Sequence, residues 1–269
     1  MKAPDFRYEC PGDVDAALAL LAGGDAAALA GGQSLMPMMN FRLARPEVLV
    51  DLNRIDGLAG IAEDGAVLRI GAMTRYADLA RSDLIAAHAP LVARALPHIA
   101  HAAIRNRGTI GGSVALADPA AEMPALLIAL NARIALRSAE ATREVAADDF
   151  FLGLYETVRA EDELVTEVII PKAQAGTRHG FYELARRHGD YAMAGVALSF
   201  GAQARVAFFA ISDHALRAPD AEAALAKGDI DAAVAGLEGL DFHADPNADA
   251  ATKRHLAGVV LRRAWEGAA

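Results

Sequence analysis

A chain of 269 residues is long enough for one large domain or two of ordinary size, with 54% hydrophobic and 23% charged residues, the proportions of a globular protein. Its net charge of −9, relieved by no basic run longer than Arg186-Arg187-His188, argues against a nucleic-acid binder. The lone Cys10 excludes an internal disulfide, an iron–sulfur cluster held by this chain's own thiolates, and a cysteine-type zinc site.

Asp13 is placed to cap a helix in which Val14, Ala17, Leu18 and Leu21 recur at helical spacing, and Gly23-Gly24-Asp25 ends it. Ala26 to Ala30 reads as a short buried strand running directly into Gly31-Gly32. Ser34 then opens a helix carrying Leu35, Met36, Met38 and Met39, with Pro37 tolerable only in its first turn. Glu47 to Asp51 is another short strand, so this part forms a small α/β unit. A second unit begins near Gly57, where Ala66 to Gly71 alternates like a strand and Thr74 reads as the cap of a helix through Leu79. Leu84 to Ala103 has helical character, broken at Pro90 and Pro97. After a central glycine turn, Met123 to Leu130 reads as a helix and Ala132 to Leu136 as a strand with Arg143 to Ala146 as its hairpin partner. Leu164 to Ile170 is a strand stopped by Pro171. Gly176 and Gly180 mark a boundary, followed by strands at Phe181–Arg186, Val196–Phe200 and Val206–Ile211 and helices at Ala221–Lys227, Ile230–Leu237 and Ala250–Trp265. Strands followed by helices suggest a separate α+β domain. The segment Met1 to Arg7 lacks the apolar core of a signal peptide and charges interrupt every apolar stretch, so no membrane span and a cytoplasmic address are expected.

Two glycine pairs stand out, in Ala30-Gly31-Gly32-Gln33-Ser34-Leu35 and in Ile104-Arg105-Asn106-Arg107-Gly108-Thr109-Ile110-Gly111-Gly112-Ser113. Adjacent glycines allow positive φ and carry no Cβ, so backbone N–H groups can approach an anion, and two such turns converging on one ligand could hold a pyrophosphate. Either pair alone is more often only an ordinary turn. Neither has the spacing of G-x-G-x-x-G, and no Gly-Lys-Ser/Thr occurs. His98 and His101 stand three apart, but no acidic or cysteine partner has ligand spacing nearby, and a metal site needs three or four ligands. Ser34 lacks the G-x-S-x-G context of a hydrolase nucleophile. Asp118 and Glu122 either stabilise a helix start beside Pro119 or bind sugar hydroxyls of a nucleotide. Tyr191 either packs in a core or covers a planar cofactor.

The segment Ala30-Gly31-Gly32-Gln33-Ser34-Leu35-Met36-Pro37 resembles the first flavin-binding segment of the medium, FAD-binding subunits of molybdenum hydroxylases, the carbon monoxide dehydrogenase and xanthine dehydrogenase relatives. Arg105 to Ser113 resembles their second segment; Arg45 to Asn53, Arg186 to Ala192 and the tail from Arg254 to Ala264 also fit, in the right order and over nearly the whole chain. The resemblance implies an α+β architecture: a vanillyl-alcohol-oxidase-like FAD-binding domain over 1–175, made of two α/β subdomains at about 1–56 and 57–175, and a smaller C-terminal α+β domain over 176–269, of the carbon monoxide dehydrogenase flavoprotein type. It implies that Ala30, Gly31, Gly32, Gln33, Ser34 and Leu35, with Thr109, Ile110, Gly111, Gly112 and Ser113, hold the FAD diphosphate through backbone N–H groups. Asp118 and Glu122 fall at nucleotide- or flavin-side carboxylates, Val165 at an apolar residue lining the flavin, and Tyr191 near the isoalloxazine. Ser113 replaces an Asn common among relatives, Glu183 stands where some carry Lys, and Ala207 to Pro219 looks shorter and less glycine-rich than usual.

The implied role is electron transfer without a catalytic residue or metal of its own. Electrons would pass from two-iron two-sulfur clusters on a small partner subunit, through FAD on this chain, to an external acceptor, while a large subunit carries the molybdenum cofactor. A dimer of heterotrimers is the expected assembly. The alternatives are a scaffold subunit that binds no flavin, against which the intact glycine pairs count, and a self-contained flavin oxidase, for which the C-terminal region is small.

Overall fold

The computed structural model describes residues 2–201 and 203–268, so the two ends of the expected domain ranges, Met1 and Ala269, lie outside the described residues. The first unit is built on a parallel three-stranded sheet in the order Arg7–Glu9, Val48–Asp51, Ala26–Leu29. Asp13 caps the helix Val14–Leu21, its carboxylate accepting the Ala16 N–H at 2.8 Å, and Ala17, Leu18 and Leu21 bury that helix against Val50 and Leu52. Gly24 and Asp25 both take positive φ where this helix turns into the Ala26 strand. The edge strand Arg7–Glu9 was not foreseen: it is three residues long and exposed, so it carries no apolar alternation.

The second unit is an antiparallel five-stranded sheet in the order Ile61–Asp64, Val67–Gly71, Leu164–Pro171, Arg133–Arg137, Thr142–Ala146. The strand Ile61–Asp64 escapes the sequence pattern because its edge position leaves Ala62, Glu63 and Asp64 exposed; Gly65, at φ 55°, turns it onto its partner. Thr74 corrects an expectation. Arg75, not Thr74, is the N-cap of Tyr76–Leu79, while Thr74 Oγ1 accepts the Gly60 N–H at 2.9 Å and donates to the Gly60 carbonyl at 3.0 Å. Pro90 separates two helices, Asp83–His88 and Pro90–Ala95, by taking the first position of the second.

The third unit is an antiparallel sheet in the order Arg178–Ala185, Ala192–Phe200, Ala204–Phe209, Leu216–Arg217, followed by the helices Pro219–Leu225, Ile230–Ala235 and Ala250–Glu266. Strand periodicity decides how it docks. Ala194, Val196, Leu198, Val206 and Phe208 face the helix Ala250–Glu266, whereas Ala192, Ala197, Ala207 and Phe209 point the other way, into the core of the second unit. Between that face and the five-stranded sheet lies Glu122–Ala129, buried at every position from Met123 to Ala129. A helix apolar all round belongs in such a place. It brings Glu122, at its first turn, to the seam where all three units meet.

Candidate functional site

The strand Ala26–Leu29 hands the chain to the first glycine pair at the edge of its sheet. Asn53 Nδ2 donates to the Ala30 carbonyl at 2.9 Å, and Arg75 bridges Asn53 Oδ1 and the Arg107 carbonyl, both at 2.6 Å, tying the two glycine segments together. The contact is backbone on backbone: a Cβ on Gly31 would lie 2.2 Å from the Arg107 carbonyl oxygen. Gly32 takes φ +71° and Gln33 Nε2 donates to the Gly31 carbonyl at 3.1 Å, closing a tight turn into the helix Leu35–Asn40. The N–H groups of Gly31, Gly32, Gln33, Ser34 and Leu35 meet no acceptor among the described residues. Successive free N–H groups at a positive-φ turn make an anion nest.

The second segment is different. It is not a turn but the start of the helix Ile110–Leu116, with Thr109 as its N-cap. The Ile110 N–H donates to the Thr74 carbonyl at 3.0 Å, Gly111 to Ala72 at 2.8 Å, Gly112 to Thr109 Oγ1 at 3.1 Å and Ser113 to the Thr109 carbonyl at 3.2 Å. Among Thr109 to Ser113, Thr109 alone keeps an N–H without an acceptor. Ile110 turns inward and is fully buried in the apolar core, away from the cavity wall. Gly111 and Gly112 have ordinary negative φ, and Gly111 is required because a Cβ there would stand 2.4 Å from the Ala72 Cβ. Of the expected donors Thr109 to Ser113, only Thr109 has a free N–H in the folded chain. Local helix capping and the bridge to Thr74 consume the donors of the second, which presses its glycine surface against the first.

A cavity of about 900 Å³ opens at this junction. Ala30, Gly31, Gly32, Gln33, Ser34 and Leu35 line it, as do Thr109, Gly111, Gly112, Ser113, Asp118, Glu122, Val165 and Tyr191. Of the residues nominated from sequence, Ile110 is the one that does not reach the wall. The cavity also takes Ala26, Ala27 and Ala28, Met73 and Arg159, which carried no motif. Small side chains on a short strand and one arginine in a loop are legible as lining only once the fold places them. A second cavity of about 260 Å³ shares Leu21, Ala26, Arg159 and Glu161 with the first.

The acids at the other end sit in poor solvent. Burial pushes the Glu122 carboxyl up to about 7, the charge of Glu183 adding to it. Burial also raises Asp118, against the Ala120 N–H, which it accepts at 2.9 Å, and the hydroxyls of Tyr191 and Tyr155. Tyr191 is 65% exposed, so it is a free aromatic face at the cavity mouth rather than a core residue. Glu183 does not line the cavity; it pairs with His98, whose Nδ1 lies 3.4 Å from Glu183 Oε1. Among the described residues no group of three or more His, Cys, Asp or Glu gathers at metal-binding geometry.

The chain matches the family model described as the FAD binding domain in molybdopterin dehydrogenase over residues 4–173, and that of the CO dehydrogenase flavoprotein C-terminal domain over residues 179–268. It is 38% identical to the nicotine 6-hydroxylase medium subunit of Paenarthrobacter nicotinovorans over 98% of this chain and 97% of that one. It is 39% identical to the carbon monoxide dehydrogenase medium chain of Hydrogenophaga pseudoflava over 100% of this chain and 98% of that one. Its fold superposes on the structure of carbon monoxide dehydrogenase from Hydrogenophaga pseudoflava that lacks the Mo-pyranopterin moiety with a TM-score of 0.95, at 41% identity and with both chains fully covered.

Proposed function

The chain belongs to the family of FAD-binding medium subunits of molybdenum hydroxylases, and from that premise we infer how its own residues carry the cofactor and serve electron transfer. It is the FAD subunit of an oxidoreductase complex in which a large subunit holds the molybdenum cofactor and a small one holds the iron–sulfur clusters. The observation that carries the site assignment is the run of free N–H groups from Gly31 to Leu35, open to a cavity of about 900 Å³. A diphosphate is the anion such a nest fits, and the volume lies in the upper range of small-molecule sites.

The residues present fit FAD. The Gly31–Leu35 donors, with the Thr109 N–H, hold the diphosphate; the remainder of the second segment braces them rather than donating. Val165 and Met73 supply apolar wall, and Tyr191 offers its ring at the mouth. Asp118 and Glu122 hold hydroxyl or ring polar groups of the ligand; a carboxyl near neutrality can serve as donor or acceptor. When bound, FAD supplies the capacity to take electrons singly and release them in pairs. The chain's contribution is to hold the cofactor's orientation and keep it where partner and acceptor can both reach it. The domains divide at 1–175, with subdomains at about 1–56 and 57–175, and 176–269, a reading supported by the separation of the three larger sheets. Two heterotrimers pair into the full assembly. No helix among the described residues is long and apolar enough to cross a membrane, and we assign the complex to the cytoplasm.

The test is anaerobic reduction of the assembled complex with candidate substrates, followed by visible absorption. Bleaching of the flavin bands that depends on the iron–sulfur subunit is expected. Bleaching that persists when this chain is isolated with FAD and substrate contradicts the electron-transfer role and favours a self-contained oxidase.

A further inference from the structure

Three acid–base groups lead from the cavity wall to the surface. Glu122, at the start of the helix Glu122–Ala129, lines the cavity. Glu183, on the strand Arg178–Ala185, lies within reach for its charge to raise Glu122 and has a side chain only 5% exposed. Glu183 Oε1 lies 3.4 Å from His98 Nδ1, and the His98 side chain is 38% exposed. The remaining oxygen, Glu183 Oε2, is buried with no hydrogen-bond partner. Buried polar atoms are nearly always satisfied, so an orphaned oxygen on a carboxylate whose charge acts on a second buried acid marks a position for a shared proton or a water.

We propose that Glu122, Glu183 and His98 form a proton relay between the cofactor cavity and solvent, supplying protons as electrons arrive on the bound FAD. The proposal rests on the reading that the Tyr191–Glu122 end of the cavity holds the flavin ring. The relay moves one proton per cycle and no electrons. Once Glu122 has given up its carboxyl proton, protonated His98 would give its Nδ1 proton to the Glu183 carboxylate at Oε1, the Glu183 carboxyl would turn and pass that proton on to the Glu122 carboxylate, and His98 would be reprotonated from water. The electrons come from the iron–sulfur subunit, so charge arriving on the cofactor is offset without opening the cavity.

The surroundings suit this traffic. Hydrogen bonding to Glu183 raises the His98 proton affinity, against the effect of burial, and the charges of Glu183 and Glu122 raise it further. Burial, then the charge of Glu183, raises Glu122 to about 7, so the cavity end of the path exchanges protons near neutrality. Asp118 also acts on Glu122. The His188 ring lies 5.6 Å from that of His98 across the loop, and Phe181 packs at 5.1 Å. The Arg105 guanidinium, nearby, is occupied by the carbonyls of Ile99 and Ala100 at 2.8 and 2.7 Å.

Proton uptake by the assembled complex should be followed with a pH-sensitive dye in weak buffer during rapid photochemical reduction of its FAD. Wild type should take up protons in step with reduction. Glu183→Gln and His98→Ala should retain full flavin absorbance yet slow uptake at least about tenfold, and added imidazole should restore the rate in His98→Ala, which a structural role for the ring would not produce. Uptake at the wild-type rate in both variants, with flavin retained, overturns the relay and leaves FAD binding standing. Flavin absent from the wild-type complex overturns the binding reading and the relay together. Should Glu183→Gln lose flavin, the imidazole response of His98→Ala decides alone: no rescue contradicts the relay.

Discussion

At the scale of single residues, the site depends on what is missing from Gly31 and Gly111. Their Cβ positions are occupied by backbone, the Arg107 carbonyl for one and Ala72 for the other. A Cβ on Gly112 would meet side chains and not backbone, the Thr109 Oγ1 at 2.9 Å and the Ala30 Cβ at an ordinary 3.5 Å. Gly31→Ala and Gly111→Ala should therefore each cost about 2–4 kcal/mol through overpacking and lose FAD, while Gly112→Ala should cost about 1 kcal/mol and keep most of it. Thermal unfolding and flavin content measure both; equal effects at all three positions would contradict the backbone-contact account. Glu122 gives a pH prediction. Its carboxyl moves from 4.5 to about 7 on folding, so the folded state binds the proton more tightly than the unfolded state. That contribution is fully present below 4.5 and is lost as pH rises toward about 7. Glu122→Gln in the flavin-free chain should remove this decline, gaining stability over wild type at pH 8 relative to pH 4.5; parallel pH profiles would show that Glu122 is not desolvated.

At the scale of elements, the helix Ala250–Glu266 is fastened by a buried cation. Lys253, 3% exposed, donates to the Ala210 carbonyl at 2.5 Å and pairs with Asp245 at 2.7 Å. Burial alone would raise Asp245, but Lys253 and the N–H groups of Asn247 and Ala248 hold it below its ordinary value. Its contribution is present above the ordinary carboxylate range and is lost as pH falls through it. Lys253→Ala should cost about 2–4 kcal/mol, because it strips the Ala210 carbonyl and Asp245 of their buried cation and opens a void. A shift in the unfolding midpoint below about 1 kcal/mol would show that the pair is merely peripheral. The elements were legible in the sequence wherever burial was one-sided. The helix Val14–Leu21 and its capping Asp13 carry their period openly, and the strand Leu164–Pro171 is legible as a continuous apolar run. Thr74 misled because a hydroxyl before a short apolar run looks like a cap, whereas a tertiary partner, Gly60, claims it. The second glycine pair misled for the converse reason: Gly-Gly reads as a turn, but Thr109 caps a helix across it. Arg159 and the alanines of the first sheet became site residues only through packing between units.

For the molecule as a whole, the three sheets divide the work. The first supplies the anion nest and the second braces it with the helix Ile110–Leu116. The third brings the loop bearing Tyr191, and Met193 on the strand Ala192–Phe200, to the same cavity. The order of motifs announced the family, while the inequality between the two glycine segments is a property of the folded chain alone. One cysteine, Cys10, leaves iron–sulfur chemistry to a partner, in keeping with the chain's place as the medium subunit. The most direct test of the account is the amount of FAD released by denaturing the purified complex, measured per medium chain in wild type and in Gly31→Ala. The account predicts close to one FAD per chain in wild type and almost none in the variant. A wild-type complex with its molybdenum and iron–sulfur centres intact but no FAD, or full FAD in Gly31→Ala, would contradict it.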